Sequence, residues 1–176
     1  MKPIYLEMNY FGPHENSVVD FRLLDESPIF LISGDTGAGK STIFDAMTYA
    51  LFGTTTGDRD AKEMRSQFAT ADDRTSVTFY FKQGNLLYRI ERSPEQKLSK
   101  KRGSGSTLQK STAKLAIVDR VKGIEKNNIA INPKNVGEEI TRLLHLNAEQ
   151  FKKIILLPQN DFSRFLKSST PDKEAI

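Results

Sequence analysis

The chain has 176 residues, the size of one domain, with 38% hydrophobic residues and 11 Phe from which to build a core. It contains no Cys, which excludes a disulfide scaffold and makes a reducing, intracellular compartment the expectation. No apolar run reaches membrane-spanning length, and the first residues lack the basic-then-apolar layout of a signal peptide. The net charge of +4 is unevenly spread: residues 82–114 hold nine Lys or Arg against two acids, a net +7, which leaves −3 for the rest. Such a strip suits a polyanion such as nucleic acid, and equally a solvated basic loop.

In chain order, residues 4–8 alternate apolar and polar and predict a strand, broken by Phe11-Gly12-Pro13. Residues 18–21 predict its hairpin partner. Ile29-Phe30-Leu31-Ile32 reads as a short, fully buried strand. A helix is expected over residues 42–51, with Ile43, Phe44, Met47 and Leu51 facing a core and Gly53 ending it. Residues 75–81 predict a strand with Val77, Phe79 and Phe81 on one face. Residues 82–85 predict a turn, and residues 86–92 the returning strand. Gly103-Ser104-Gly105-Ser106 reads as the flexible tip of a basic excursion, and residues 115–118 as a further strand. A helix capped at Asn135 is expected to run to about Leu144, and a short one from Asn147 through Lys153. Residues 154–157 read as a buried strand stopped by Pro158. No internal repeat or heptad seam is present.

The segment Gly34-Asp35-Thr36-Gly37-Ala38-Gly39-Lys40-Ser41 satisfies G-x-x-x-x-G-K-[ST] at every fixed position. A chance match is expected in about one window in 10⁴, so an incidental glycine-rich turn is a poor explanation. The glycines permit backbone angles that a Cβ forbids, so N–H groups can converge on phosphate oxygens. Lys40 supplies a point charge at the β- and γ-phosphates, the Ser41 hydroxyl a Mg²⁺ ligand, and the following helix its N-terminus. The residues expected at the nucleotide are Thr36, Gly37, Ala38, Gly39, Lys40, Ser41 and Thr42.

A phosphate loop specifies a nucleotide, not a reaction. The Asn-Lys-x-Asp base-reading motif of G proteins is absent. The nearest candidate for an acidic strand end that would hold Mg²⁺ is Leu115-Ala116-Ile117-Val118-Asp119, but Arg120 follows where a catalytic base would stand. Either Asp119 fills this role, or half of the active site lies on other polypeptide. A self-contained P-loop kinase with a lid, and a DNA-binding module whose loop binds only phosphate, stand as alternatives. In the basic strip, Lys97, Lys100, Lys101, Arg102 and Lys110 are the candidate DNA contacts.

An ordered set of motifs adds to this. It comprises Phe11-Gly12-Pro13-His14, the loop with Thr42-Ile43-Phe44-Asp45-Ala46, and Met64-Arg65-Ser66. It continues with Ser93-Pro94-Glu95, Lys100-Lys101-Arg102-Gly103, Gln150-Phe151, Leu157-Pro158-Gln159 and Phe162-Ser163-Arg164-Phe165-Leu166. With these the chain resembles the N-terminal ATPase lobe of the SbcC family, in the SMC-like branch of the ABC ATPases. It departs from the family pattern at Asn160-Asp161, where Gly-Glu is expected, and at His14, where Tyr is common.

The resemblance implies an α/β P-loop fold of the ABC-head type, a mixed sheet around the loop helix plus an antiparallel β-subdomain. It implies ATP and Mg²⁺ as ligands. Gln159 becomes the Q-loop residue that completes the Mg²⁺ shell and senses the γ-phosphate. Phe11, Gly12 and Pro13 lie near adenine and ribose through backbone contacts, or form a purely structural turn; His14 stacks near the base, and Arg65 and Ser66 form a signalling surface or simply a helix end. The chain is then a single lobe of a larger protein, whose coiled coil and C-terminal lobe carry the signature motif, the Walker B acids and the switch His. The implied partners are that C-terminal lobe, a second ATPase head, an SbcD-like nuclease subunit and double-stranded DNA, with no membrane and a cytoplasmic, nucleoid-associated location.

Overall fold

The computed structural model describes residues 1–24, 29–57, 59–100 and 104–154, excluding the side chain of Ile154. Its centre is a six-stranded sheet built from β1 (Lys2–Phe11), β2 (His14–Asp20), β3 (Ser76–Gln83), β4 (Leu86–Ser93), β7 (Thr112–Val118) and β8 (Glu125–Ile131). The strand order is β2-β1-β3-β4-β7-β8, and every pair is antiparallel. A separate hairpin, β5 (Gln96–Ser99) with β6 (Ser106–Gln109), rises between β4 and β7. The α-helices among the described residues are α1 (Lys40–Phe52), α2 (Pro133–Leu144) and α3 (Ala148–Ile154).

Alternation along the strands sets the register. Leu6, Phe79, Ile90, Leu115 and Ala130 are successive partners across five strands and are all buried. A one-residue slip would turn each of them to the opposite face. Their cluster takes in Ala46, Met47, Ala50 and Leu51 of α1 with Val136 and Ile140 of α2. The opposite face carries a smaller cluster of Ile4, Tyr5, Tyr80 and Val118, with the Tyr5 and Tyr80 rings edge to face at 5.9 Å.

Several elements differ from expectation. Ile29, Phe30 and Leu31 form no strand and are 86%, 48% and 87% exposed. A strand needs a ladder partner, and none of the described strands pairs with this run. Phe44 is 39% exposed, while Ile43, Met47 and Leu51 face the core as expected. Phe21, buried, leaves β2 to begin a 3₁₀ turn, Phe21–Leu24. The turn between β3 and β4 is two residues, with Gly84 at φ 57°, so Lys82 and Gln83 stay in the strand. Strand β8 escapes the sequence reading because Ala130 is its one buried residue and Lys126, Asn127 and Asn128 are exposed.

The cap of α2 is Asn132, not Asn135: its side chain accepts from Asn135 N at 3.0 Å, and Pro133 occupies the first helical turn. The expected start of α3 is borne out by a reciprocal box. Asn147 Oδ1 accepts from Gln150 N at 2.9 Å, and Gln150 Oε1 accepts from Asn147 N at 3.0 Å. Ile154 ends this helix instead of opening a strand, and the remainder of that expected strand, residues 155–157, lies outside the described residues.

The end of α1 is closed from the sheet. Gly53 adopts a left-handed conformation and its N–H donates to Tyr49 O at 2.8 Å. Arg92, 5% exposed, reaches from β4 to donate through Nε to Ala50 O at 3.0 Å and through Nη2 to Leu51 O at 3.2 Å. Burial pulls this guanidinium below the ordinary arginine value, but arginine stays charged in proteins, and a cation at a helix C-terminus meets the negative end of the dipole. Replacing Arg92 by Met keeps most of the apolar stem and strands two carbonyls. Arg92→Met should lower the unfolding free energy by about 1–3 kcal/mol, read from urea denaturation. An unchanged midpoint would show that the cap is dispensable.

Candidate functional site

The phosphate loop sits between the exposed run 29–31 and the start of α1. Gly34, Gly37 and Gly39 have φ of 155°, 88° and 83°; the last two lie in the region that L side chains avoid. Asp35 to Ala38 turn tightly, with Ala38 N donating to Asp35 O at 3.2 Å. Gly39 precedes the helix, and its carbonyl accepts from Thr42 N at 3.0 Å. Lys40 folds back so that Nζ donates to Gly34 O and Asp35 O, both at 2.7 Å. The ammonium is therefore held over the loop by the loop's own backbone. Ser41 stands exposed in the first helical turn, and Thr42 is buried behind it.

The turn after β1 packs on this helix start. A Cβ on Gly12 would lie 2.7 Å from Thr42 Cγ2, and Gly12 N donates to Met64 O at 2.6 Å. A Cβ on Gly39 would lie 2.7 Å from Pro13 Cγ and 2.6 Å from His14 Nε2. Gly12 and Pro13 thus join Gly39 and Thr42 in one contact. His14, given a base-stacking role by resemblance, has Nε2 3.2 Å from Gly39 O and Nδ1 2.9 Å from Ser17 Oγ. Nothing in the sequence marks the contact with Gly39, because the two residues are 25 positions apart.

Met64-Arg65-Ser66 is a brace. Arg65 bridges to Phe11, and Ser66 N donates to Tyr10 O at 2.8 Å. The Arg65 guanidinium donates to Thr70 O at 2.6 Å, Thr75 Oγ1 at 3.1 Å and Gln96 Oε1 at 2.7 Å.

Asp119 is eliminated as a metal ligand for the loop. Val118 pairs with Leu87, Leu87 with Lys82, and Lys82 with Lys2. Asp119 therefore lies at the end of the sheet where β1 begins, and the loop packs where β1 finishes. At about 3.3 Å per residue the nine steps from Lys2 to Phe11 span roughly 30 Å. The Asp119 carboxylate instead accepts from Arg120 N at 2.8 Å. Among the described residues no three His, Cys, Asp or Glu side chains converge as a metal site. Mg²⁺ held by a Ser hydroxyl and phosphate oxygens needs no such cluster.

The basic strip is not one surface. Arg92 is buried, and Arg89 and Lys114 both pair with Glu125. Lys114, first through its hydrogen bonds, and then Arg89 hold the Glu125 carboxyl below the usual carboxylate value. Lys97, Lys100 and Lys110 are exposed on and beside the β5–β6 hairpin, with no ion pair among the described residues. Lys101, Arg102 and Gln159 lie outside the described residues.

A glycine-rich loop running into a helix laid across a sheet defines an α/β P-loop ATPase domain. The chain belongs to the AAA domain family, whose model matches residues 5–176. It is 41% identical over 179 residues to the SbcC subunit of nuclease SbcCD from Staphylococcus aureus (strain MRSA252) and 38% identical over 178 residues to that of Vibrio cholerae serotype O1. Each alignment covers 100% of this chain and 17% of the relative. The resemblance to SbcC proteins therefore holds along the whole chain, which spans 17% of the length of these curated relatives.

Two glycine variants test the loop geometry. Gly37→Ala meets no atom within 4 Å and is strained only by its φ of 88°, a cost of about 1 kcal/mol. Gly39→Ala adds the clash with Pro13 and His14. The melting temperatures should fall in the order wild type, Gly37→Ala, Gly39→Ala; equal values for the two variants would contradict the packing described.

Proposed function

We propose that this chain is the ATP-binding half of an SbcC-type ATPase head, supplying the phosphate loop and, through Gln159, the Q-loop. The observation that carries this reading is the loop itself: a left-handed glycine pair, a lysine folded over the loop, and a helix start behind it. ATP would sit with its phosphates against the N–H groups of residues 36–42 and the Lys40 ammonium. Mg²⁺, held by Ser41 and phosphate oxygens and completed by Gln159, would neutralise charge developing on the transferred phosphoryl group.

The acids needed for hydrolysis come, on this reading, from the protein's own C-terminal lobe. The exposed Ile29-Phe30-Leu31 run supports that assignment, since an apolar segment leading into the loop is where further strands would pair. A second head would supply contacts to the γ-phosphate made only when the two close, so ATP shifts an open–closed equilibrium. That closure would regulate an SbcD-like nuclease subunit on double-stranded DNA ends, in a cytoplasmic, nucleoid-associated complex.

Lys40→Ala should abolish ATP binding by the chain in a fluorescent-nucleotide titration, and the chain alone should hydrolyse ATP negligibly. Robust turnover by the chain that is lost in Lys40→Ala would overturn the half-site assignment.

The hairpin is assigned to DNA within the same reading, from the exposure of Lys97, Lys100 and Lys110. Neutralising these with Lys101 and Arg102 should weaken DNA binding regardless of sequence. It should also flatten the salt dependence by about 0.9 in log–log slope for each phosphate contact removed. An unchanged slope would take the hairpin out of the interface.

A further inference from the structure

We propose that His14 is a positioning residue of the phosphate loop, which aims the Lys40 N–H by holding the Gly39 carbonyl. The inference rests on the ATP-site reading above and concerns the one peptide group that joins the loop to α1. Gly39 O accepts from Thr42 N at 3.0 Å and lies 3.2 Å from His14 Nε2. A carbonyl oxygen can only accept, so Nε2 must carry a proton to make this contact. In the neutral ring Nδ1 is then bare, and it accepts from the Ser17 hydroxyl at 2.9 Å. The acceptor-only Gly39 carbonyl thereby selects the tautomer, and Ser17 on β2, whose hydroxyl can donate or accept, accommodates it and holds the ring.

The consequence follows from peptide geometry. In a trans peptide the C=O and the following N–H point in opposite directions. Fixing Gly39 O towards the β1–β2 turn therefore turns the Lys40 N–H away from it. At φ 83° Gly39 lies where glycine has several accessible conformations, so its own backbone preference does not fix the plane. The packing adds a second restraint: the position of a Cβ on Gly39 is taken by Pro13 Cγ and His14 Nε2, so the ring walls the peptide from one side. His14 acts on a backbone donor and need touch no part of the nucleotide.

The test compares His14→Phe, which keeps a ring against Gly39 and loses the donor, with His14→Gln, whose amide can still donate. ATP binding is titrated on the chain and both variants, with melting temperature measured without nucleotide. His14→Phe should bind ATP about five- to tenfold more weakly, the worth of one hydrogen bond, and His14→Gln should recover to within about twofold of wild type. Equal affinity in wild type and His14→Phe, or equal weakening in both variants, overturns the positioning role. Absence of ATP binding by the wild type itself would instead overturn the nucleotide-site reading.

A readout free of nucleotide is the imidazole ¹⁵N spectrum. The chain has only two His, so His145 serves as internal reference. The expected spectrum has His14 protonated at Nε2; a neutral ring protonated only at Nδ1 would overturn the contact whatever the binding data show.

Discussion

The loop helix is fixed to one sheet at both ends, and the site depends on that double attachment. At its start Thr42 packs on Gly12 and Gly39 on Pro13 and His14. At its end Arg92 donates to the Ala50 and Leu51 carbonyls. Between the two, Ala46, Met47, Ala50 and Leu51 lie on the row that runs from Leu6 to Ala130. A helix held in this way cannot slide or roll without breaking polar contacts and opening the core. Interiors packed to crystal density resist such movement. Backbone donors at the helix start are therefore preorganised, which is what an anion site made of weak individual dipoles requires.

Buried and paired charges explain why counting basic residues overstates the polyanion surface. Of the nine in residues 82–114, Arg92 serves a helix end and Arg89 and Lys114 converge on Glu125. Linear charge counts cannot separate a structural cation from a free one, since the difference lies in partners brought up from other strands. Arg92 and Arg89 stand three residues apart on β4, which turns their side chains to opposite faces of the sheet. One enters the core and the other an ion-pair cluster at the surface.

The parts of the fold legible in the sequence are those whose signals are local. The phosphate loop, Gly53 after α1, the Asn147–Gln150 box and the alternation of Val77, Phe79 and Phe81 each lie within a few residues. The parts that mislead are set by partners elsewhere. Ile29-Phe30-Leu31 has the composition of a buried strand, but pairing makes a strand, and composition carries no information on what lies alongside. Strand β8 shows the reverse: its first four residues are polar, yet β7 supplies a ladder and Ala130 is its one fully buried residue. Asn135 reads as a cap because it precedes an apolar-periodic segment, whereas Asn132 has the advantage of Pro133 next to it. Within the site, Lys40 and Ser41 are legible from the motif, while the contacts of His14 and Arg92 come from tertiary approach alone.

The hairpin and the loop grow from a common buried junction. Gln96, the first residue of β5, accepts from Thr75 N at 2.8 Å and from Arg65, and its amide donates to Thr75 O at 2.9 Å and Ser93 Oγ at 3.0 Å. Arg65 in turn bridges Phe11, directly before the Gly12 turn that packs on Thr42. A buried amide with every polar atom engaged tolerates little displacement, because each lost bond leaves a desolvated group without a partner. The root of the basic hairpin is thus fixed in the same frame as the start of α1. A flexible excursion grafted on a surface loop would have required no such network, so this junction distinguishes a built-in arm of the domain from an appended tail.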